Sequence, residues 1–424
     1  QEFRKRHKTE KIKYRDIKSY EGPIYIGLDA GSTTSKMVWL SKDEEILLDD
    51  YRMNLGKPLE VVIDMLKSGY EKKNPKAYIA SSGICGYGED FIKNALHIDR
   101  GEVETIAHYR AAKFFNPDVD FILDIGGQDM KAMHIRDGVI DSIQLNEACS
   151  SGCGSFLSTF AASVSMDVEE FQKEAIKSKK PADLGSRCTV FMNSKVKQAQ
   201  KEGSEVADIA AGLCYSVIKN AIQKVIKIRD PKTLGENIVV QGGTFYGDAI
   251  LRAFEILSER EVTRPEISGL MGAMGMALIS KDKSTGTSNI SSLKELENFS
   301  YEQKNARCGL CTNNCGLIIN IFSDGTRYIT GNRCERGAGV KLDKSKDDLN
   351  MYKFKYDLLF NRQTLGDKAR FGTVGIPRVL NIYEDYPFWH KFFTSLGFDI
   401  VLSDKSTREM YEKGISSIAS ETAC

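Results

Sequence analysis

The sequence has almost no net charge and no long apolar run, and both absences restrict the classes of protein to which it can belong. Its 59 Lys and Arg residues nearly balance its 58 Asp and Glu residues, which leaves a net charge of +1. A near-neutral chain is not typical of proteins that bind nucleic acid or membranes through bulk charge. The longest apolar stretches, such as the one around residues 271–279, are far shorter than a membrane span. We therefore expect neither a nucleic-acid partner nor a membrane partner.

No secretory signal pattern opens the sequence, although the sequence contains ten cysteines. Without such a signal, thiols are expected to stay reduced and either bind metal or remain free. We therefore predict a cytoplasmic protein. Its 424 residues are too many for one ordinary domain, and two or three units are expected. Because Gln1 opens the sequence and Cys424 ends it soon after a strand–helix–strand pattern begins, we expect a fragment of a longer polypeptide.

One arrangement of predicted strands occurs twice in the sequence. In the first copy an apolar strand ends at Asp29, and in the second copy another ends at Asp124. Each aspartate is followed two residues later by a glycine and seven residues later by a lysine, Lys36 or Lys131. Such self-similarity predicts an internal duplication of a β-β-β-α unit.

Three predicted strands of the duplicated region end in a glycine turn, over residues 29–34, 124–128 and 241–244. Backbone amides of such turns can close around phosphate oxygens, and an aspartate at a strand end can hold Mg²⁺ through water. The spacing matches neither a Walker P-loop nor the Rossmann fingerprint. We therefore predict a cleft for a nucleotide and Mg²⁺ between two duplicated halves, with Asp29 and Asp124 as its catalytic carboxylates. The residues predicted to bind the nucleotide are Gly31, Ser32, Thr33, Thr34, Lys36, Gly126, Gly127, Gln128, Gly242, Gly243 and Thr244.

These segments resemble motifs of the superfamily of actin, heat-shock chaperones and sugar and acetate kinases. Residues 27–36 resemble its first phosphate motif, residues 124–129 its second, and residues 239–244 its adenosine motif. The resemblance implies an α/β fold with a duplicated, ribonuclease-H-like ATPase domain whose two lobes hinge on ATP. We expect the lobes at about 22–115 and 118–281.

Cys149 and Cys188 each precede a predicted helix. A helix N-terminus stabilises a thiolate. Taken alone, however, each cysteine is more typical of a small buried residue than of a metal ligand. Two thiolates do not complete a four-thiolate site, although a symmetric dimer could supply the other two.

The region 22–281 closely resembles the ATP-dependent activators of 2-hydroxyacyl-CoA dehydratases, the archerases, and the ATPase subunits of benzoyl-CoA reductase. The resemblance is carried by the two Asp-x-Gly motifs, by the Cys149 segment and by Cys188-Thr189-Val190-Phe191. It implies that Cys149 and Cys188 are ligands of one [4Fe–4S] cluster shared by two subunits of a homodimer, or by a pseudo-dimer with a second ATPase unit. Cys153 stands where short family members are expected to have threonine; it is either a spare thiol or an alternative ligand, and we favour the spare thiol because four ligands are already supplied.

A second group of cysteines comprises Cys308, Cys311, Cys315 and Cys334. Four cysteines at short spacing predict a metal site, and the three-plus-one pattern suits either a second iron–sulfur cluster or Zn²⁺. The segment 308–424 resembles the C-terminal extension of long, multidomain activators, through residues 375–380 and 386–389. Cys85, Cys214, His134 and His390 are interpreted as packing residues.

The predicted organisation has six segments along the chain. They are a linker (1–21), the ATPase domain (22–281), a linker (282–300), a Cys-rich metal module (301–340), a linker (341–370) and the start of a dehydratase-like α/β domain (371–424). In the last segment we predict strand 372–376, helix 383–396 and strand 398–402, with the two strands parallel and an apolar helix face exposed.

The favoured function is an ATP-hydrolysing iron–sulfur electron-transfer protein. It would take one electron from ferredoxin or flavodoxin and pass it, at low potential, to an acyl-CoA dehydratase-like or benzoyl-CoA reductase-like iron–sulfur partner. A small-molecule kinase of the same fold is one alternative, and it gives the two cysteines no role. A non-catalytic scaffold unit is the other, and it predicts no turnover.

Overall fold

A computed structural model describes residues 2–7, 12–146, 153–186, 189–227, 231–311, 313–340 and 351–417, with the backbone alone at 189–190 and 231–232. The chain divides into two compact units, Gln1–Phe299 and Ser300–Cys424. None of the helices in these described ranges has the length and apolar character that a membrane span requires.

The first lobe of the larger unit is built on a five-stranded sheet. Its strands are β1 (Pro23–Ala30), β2 (Thr34–Leu40), β3 (Ile46–Met53), β4 (Tyr78–Cys85) and β5 (Arg100–Gly101). The order across the sheet is β3-β2-β1-β4-β5, with β1, β2 and β3 antiparallel and β4 parallel to β1. β1 is buried on both faces over most of its length, which explains its nearly continuous apolar sequence.

The first part of the chain also forms four helices. They are α1 (Glu2–Arg6), α2 (Pro58–Lys72), α3 (Glu89–Leu96) and α4 (Glu104–Phe115). α2 begins with proline, whose fixed φ suits the first helical turn, and it buries an apolar face. A Cβ atom at Gly69 of α2 would collide with the buried ring of Trp39, so this glycine permits close packing of the helix on the sheet.

The second lobe repeats the layout of the first. Its strands are β6 (Phe121–Ile125), β7 (Met130–Arg136), β8 (Val139–Asn146) and β9 (Ile238–Gln241). Their order is β8-β7-β6-β9, again with three antiparallel strands and then a parallel one. Asp29 is the cross-strand partner of Lys36, and Asp124 is the partner of Lys131. The predicted duplication is therefore confirmed in strand order and in register.

Helices of the second lobe cover its sheet and enclose a large core. They are α5 (Gly154–Ser163), α6 (Val168–Ala175), α7 (Thr189–Lys201), α8 (Val206–Asn220) and α9 (Asp248–Ser258), and the chain then continues into α10 (Met271–Asp282), which packs on the first sheet and on α4. A π-helical turn, Ala221–Val225, continues α8, and short 3₁₀ turns occupy Pro231–Leu234, Gly243–Tyr246 and Ser268–Leu270. Cys153 and Cys214 are buried in this core, in line with the packing role expected for Cys214.

α10 connects the two lobes. It is buried from Met271 to Ser280, and its core includes residues of both sheets as well as of α4. Cβ atoms at Gly27 of β1 and Gly275 of α10 would collide with the backbones of α10 and α4, respectively. These glycines allow α10 to lie directly against both β1 and α4.

Two of the predicted linkers contain packed structure. In 282–300, the helix α11 (Leu293–Glu297) starts at a capping box formed by Ser292 and Glu295, and Leu296 is buried. In 1–21, Ile17 and Tyr20 are buried. Both segments therefore contain buried side chains despite their polar composition, and the prediction that they are linkers is corrected to this extent.

The smaller unit begins with a three-stranded antiparallel sheet in the order β10-β11-β12. Its strands are β10 (Tyr301–Arg307), β11 (Gly316–Phe322) and β12 (Arg327–Thr330). Cys308, Cys311 and Cys315 lie in the hairpin loop between β10 and β11, and Cys334 follows β12. Antiparallel pairing places all four cysteines at the same end of this sheet.

The last part of the smaller unit is a small α/β element. It consists of α12 (Met351–Phe360), a 3₁₀ turn (Gly366–Lys368), β13 (Thr373–Ile376), α13 (Ile382–Leu396), β14 (Asp399–Leu402) and α14 (Arg408–Ser417). β13 and β14 are parallel, as predicted. α12 falls within the predicted linker 341–370, yet its Phe360 is buried with Ile376 and Tyr386, so the linker prediction is corrected for this helix. Phe388 and Phe392 of α13 remain exposed, in line with the predicted apolar helix face.

Candidate functional site

A cleft in the larger unit collects the predicted nucleotide-binding residues from both duplicated halves. Its lining includes Asp29, Gly31, Ser32, Thr33, Thr34, Lys36, Asp124, Gly126, Gly127, Gln128, Gly242 and Gly243. It also includes Tyr51, Tyr87, Glu104, His108, Asp129, Ser268 and Gly269, which were not predicted. The three glycine turns therefore converge on one space.

The first two glycine turns have the same backbone structure. The amide of Gly31 donates to Thr34 O at 3.0 Å, and the amide of Gly126 donates to Asp129 O at 3.0 Å. Each bond closes a four-residue turn between the first two strands of its half. The two turns are thus duplicated copies that approach the cleft from its two lobes.

The third glycine turn has a counterpart that the sequence did not suggest. Gly242 follows β9 and Gly86 follows β4, and these strands are the parallel neighbours of β6 and β1. Both glycines have positive φ, +92° and +96°. A Cβ atom at Gly242 would collide with Ile125 O, and one at Gly86 would lie 2.7 Å from Ala30 O. Glycine is required at both positions because the backbone passes very close to a neighbouring strand, β6 at Gly242 and β1 at Gly86.

Asp29 is held by the lysine of its own half. Lys36 Nζ donates to Asp29 Oδ2 at 2.9 Å, and the Asp29 side chain is almost fully buried. Burial disfavours the ammonium charge, but the neighbouring carboxylate outweighs it and raises the pKa of Lys36. Asp29 Oδ1 is also buried and has no hydrogen-bond partner among the described residues.

Asp124 is held differently, by a histidine of α4. His108 Nδ1 lies 2.5 Å from Asp124 Oδ2, and the Gln241 amide donates to the same carboxylate oxygen at 3.2 Å. Burial disfavours the imidazolium, but Asp124 and Glu104 outweigh it and raise the pKa of His108 to about 10. In return, His108 overcomes the effect of burial on Asp124 and lowers the pKa of that carboxyl.

A further group of charges extends from His108 to the second glycine turn. Glu104 Oε1 lies 3.5 Å from His108 Nε2 and accepts a hydrogen bond from Lys131 Nζ at 2.8 Å. Lys131 also donates to Asp129. Burial opposes ionisation of Glu104, but His108 and Lys131 together hold the pKa of this carboxyl below its usual range. A connected set of alternating charges therefore joins α4 of the first lobe to the second glycine turn.

The start of α5 is bonded to the second glycine turn. The amide of Gly154 donates to Gly126 O at 2.9 Å, and the amide of Ser155 donates to Gly127 O at 2.8 Å. Thr244 does not line the cleft; its Oγ1 instead donates to Gly126 O at 3.2 Å. The second turn, the third turn and the first residues of α5 thus form one hydrogen-bonded assembly.

The cleft residues fit a magnesium ion held with phosphate. Carboxylate oxygens are preferred ligands of Mg²⁺, which usually keeps several of its waters. The buried and unpartnered Asp29 Oδ1 is an acceptor of the kind that a magnesium-bound water requires. Asp29 and Asp124 would therefore be the residues that hold such an ion beside the glycine turns.

The predicted cysteine ligands are not brought together by the described part of the chain. Cys149 and Cys188 lie outside the described residues. In the smaller unit Cys308 is buried, whereas Cys311 and Cys334 are exposed. Within the described ranges, no group of three or more His, Cys, Asp or Glu side chains is arranged to hold a metal ion. The metal sites stay predictions.

The residues that sequence reasoning missed lie mainly on α4. Glu104 and His108 are one helical turn apart, so they share a helix face that the fold turns towards the cleft. The i, i+4 spacing was the available signal, but it is too common to indicate a site by itself. The sequence indicates Gln241 only as the first residue of a turn, whereas in the structure its side-chain amide donates to the Asp124 carboxylate.

The duplicated sheets and the cleft between them define a two-lobed ATPase fold of the actin and sugar-kinase type. Residues 26–280 match the BadF/BadG/BcrA/BcrD ATPase family, and the chain belongs to this family. Residues 373–424 match the CoA enzyme activase uncharacterised domain.

The chain is similar to several characterised proteins over its ATPase region. It is 31% identical to the 2-hydroxyisocaproyl-CoA dehydratase activator of Clostridioides difficile over 65% of this chain and 99% of that protein. It is 29% identical to the (R)-2-hydroxyglutaryl-CoA dehydratase activating ATPase of Acidaminococcus fermentans over 61% and 97%.

Two solved structures resemble the same region. The crystal structure of component A of the A. fermentans dehydratase superimposes with a TM-score of 0.55 at 28% identity, over 61% of this chain and 98% of that one. The C. difficile activator with bound ADPNP gives 0.54 at 29% identity, over 65% and 97%. These structures confirm the predicted fold class.

Proposed function

We propose that the chain is an ATP-dependent activator that delivers a low-potential electron to a 2-hydroxyacyl-CoA dehydratase-like or benzoyl-CoA reductase-like iron–sulfur partner. The relatives named above activate 2-hydroxyacyl-CoA dehydratases, and one of the solved structures contains ADPNP. The observation that carries the proposal is the hydrogen-bonded contact between the second glycine turn and the start of α5. It connects a phosphate-binding element to the helix that follows Cys149.

ATP hydrolysis is proposed to occur in the cleft between the lobes. Phosphoryl transfer to water needs positioning and electrostatic stabilisation more than covalent chemistry. The glycine turns at Gly31 and Gly126 supply backbone amides for phosphate oxygens, and Lys36 lies beside the first turn. Bound Mg²⁺ would neutralise phosphate charge. Asp29 and Asp124 would hold the ion and orient the attacking water.

Lobe movement is proposed to reach the cysteine segments through α5 and α7. A displacement of the Gly126–Gly127 carbonyls must displace the amides of Gly154 and Ser155 or break two hydrogen bonds. Cys149 lies five residues before the first residue of α5, and Cys188 immediately precedes α7. A change at the nucleotide would therefore displace the start of α5 and change the surroundings of Cys149, and α7 is proposed to carry the corresponding change to Cys188.

The cofactor proposed at these cysteines is one [4Fe–4S] cluster shared by two subunits, with Cys149 and Cys188 contributed by each. Such a cluster supplies one-electron transfer at low potential when bound. Ferredoxin or flavodoxin is the proposed electron donor. Cys308, Cys311, Cys315 and Cys334 are proposed to hold a second cluster or Zn²⁺.

Anaerobic purification followed by iron, sulfide and ATPase assays tests this function. Cys149→Ala should lose the iron and sulfide of the shared cluster but still bind ADPNP, whereas Cys153→Ala, a control from the same segment, should keep that cluster. Unchanged iron in Cys149→Ala would contradict the proposed ligand set. Phosphoryl transfer to a small molecule would favour the kinase alternative, and a protein that binds ADPNP without ATPase turnover would favour the scaffold.

A further inference from the structure

We propose that His108 is a positioning residue for ATP hydrolysis, acting by fixing the carboxylate of Asp124. The inference rests on the proposed ATPase function. His108 was not among the predicted site residues, and it lies on α4 rather than on a glycine turn. Its imidazole nevertheless lines the cleft and lies among three carboxylates, those of Asp29, Glu104 and Asp124.

One ring nitrogen of His108, Nδ1, lies 2.5 Å from Asp124 Oδ2 and 2.6 Å from the Gln241 side-chain nitrogen. Because so short a separation from a carboxylate oxygen needs a proton between the two atoms, we assign the Nδ1 proton to the bond with Asp124. Asp124 Oδ2 also accepts from the Gln241 amide. Two donors on one oxygen fix the plane of the carboxylate, and the residue can then present its other oxygen to the cleft.

The other ring nitrogen, Nε2, lies 3.5 Å from Glu104 Oε1 and also comes near the Asp29 carboxylate of the first half. A Cβ atom at Gly272 of α10 would lie 2.9 Å from His108 Nε2 and 2.7 Å from Asp29 Oδ2. The side chains of Asp29 and His108 therefore both contact the backbone at Gly272, and only glycine at this position leaves room for both. Nε2 is buried, and it has no hydrogen-bond partner within the described part of the chain. The ring is thus confined between Asp124 and the neighbourhood of Asp29.

Comparison of the two halves shows why a histidine is needed here. In the first half Lys36 reaches across its hairpin and bonds to Asp29. In the second half Lys131 has the same register position opposite Asp124, but its ammonium group bonds to Glu104 and Asp129 instead. Without His108, the second aspartate would therefore have no cationic side chain within ion-pair distance among the described residues.

The expected consequence is a loss of turnover rather than of nucleotide affinity. The glycine turns that surround the phosphates do not depend on His108, so ATP should still bind. An Asp124 carboxylate that rotates would misplace the ion or water it orients, and such a misplacement can cost about 10²-fold in rate. His108→Ala should therefore lower kcat about 10²-fold while KM for ATP changes less than about threefold.

Two conservative variants separate positioning from packing. The amide of His108→Asn can place a donor near the position of Nδ1, whereas the longer amide of His108→Gln reaches towards Nε2. We expect the asparagine variant to recover much of the kcat lost in the alanine variant, and the glutamine variant to recover little. Equal recovery by both would assign only a space-filling role and would overturn the inference.

Controls keep this result distinct from a failure of the proposed function. His134→Gln, on β7 against Phe121, should retain wild-type kcat. If Asp124→Asn loses activity while His108→Ala keeps it, the inference is wrong and the ATPase site stands. If Asp124→Asn also keeps full activity, the proposed function itself is wrong. Thermal melting of each purified variant shows which rate losses come from unfolding. If His108→Ala does not fold, the comparison of His108→Asn with His108→Gln decides the question.

Discussion

Asp29 and Asp124 occupy equivalent positions in the two duplicated sheets, but different cations hold them. Each is the next-to-last residue of its strand and lies opposite a lysine in the antiparallel register. Lys36 bonds to Asp29, whereas His108 bonds to Asp124. The duplication has therefore kept the place of the carboxylate and changed its partner, and we expect the two carboxylates to contribute differently.

The two aspartates should give different kinetic defects when replaced. Asp29→Asn removes the charge of a carboxylate with an unpartnered oxygen, so it should mainly raise the Mg²⁺ concentration needed for half-maximal ATPase activity. Asp124→Asn disrupts the oriented carboxylate and should lower kcat about 10²-fold at saturating Mg²⁺. Steady-state ATPase assays at several Mg²⁺ concentrations measure both effects.

An exposed carboxylate provides the control for these variants. Asp141 lies on β8 and pairs loosely with Arg136 at 3.7 Å. Asp141→Asn should keep both kcat and the Mg²⁺ requirement. Identical kinetic defects in Asp29→Asn and Asp124→Asn would show that the two halves are functionally equivalent, contrary to the expectation from their partners.

Gly242 should be intolerant of even the smallest side chain. Its backbone angles are φ +92° and ψ 156°, and a Cβ would collide with Ile125 O. Gly242→Ala should lower the free energy of unfolding by about 3 kcal/mol and weaken ADPNP binding. The control is Gly203→Ala, which shares positive φ but has open space around it, and it should cost only about 1 kcal/mol. Equal losses in the two variants would show that the close approach to β6 contributes nothing.

The sequence was sufficient to predict the elements that repeat along the chain. The succession of strands along the chain, the lysine seven residues after each aspartate and the glycine turns are local patterns, so a constant spacing reveals them. His108 could not be predicted in the same way because its contact with Asp124 depends on how α4 packs on α10. The bonds of Lys131 to Glu104 and Asp129 likewise depend on α4, not on the hairpin that carries the lysine.

The segment after α10 shows a different limit of sequence reasoning. Its serine, threonine and glycine content indicated a linker, yet Ser288 and Asn289 donate to the Asp99 carboxylate at 2.5 and 2.8 Å. Composition describes the average preference of such residues for solvent. It does not reveal a half-buried acceptor elsewhere in the chain, here Asp99, to which their donors can bond.

Asp99 should therefore anchor this segment to the first lobe. Besides the two bonds just described, its carboxylate accepts from the amide and hydroxyl of Ser82 at 2.8 and 2.9 Å. Asp99→Ala leaves these donors without their acceptor and should cost at least about 2 kcal/mol of unfolding free energy. Hydrogen exchange should rise at residues 288–291, while Asp118→Ala, at an exposed carboxylate, should change neither quantity. Unchanged exchange in Asp99→Ala would mean that other contacts hold the segment.

The accessibility of the cysteines provides a test of the predicted metal site in the smaller unit. In metal-free protein, the exposed Cys311 and Cys334 should react first with iodoacetamide at pH 8, and the buried Cys308 more slowly. Cys214 should react more slowly still, because burial raises the pKa of its thiol to about 12. Mass spectrometry of native protein after timed labelling gives the order.

Metal should then change the labelling of one group of cysteines and not of the other. If Cys308, Cys311, Cys315 and Cys334 bind one ion or cluster, Zn²⁺ or anaerobic reconstitution with iron and sulfide should slow the labelling of all four in parallel, since a coordinated thiolate is no longer a free nucleophile. Cys214 serves as the internal control and should keep its slow rate. Protection of only one or two of the four would contradict a shared site, because a tetrahedral zinc ion or a cubane cluster normally takes four protein ligands.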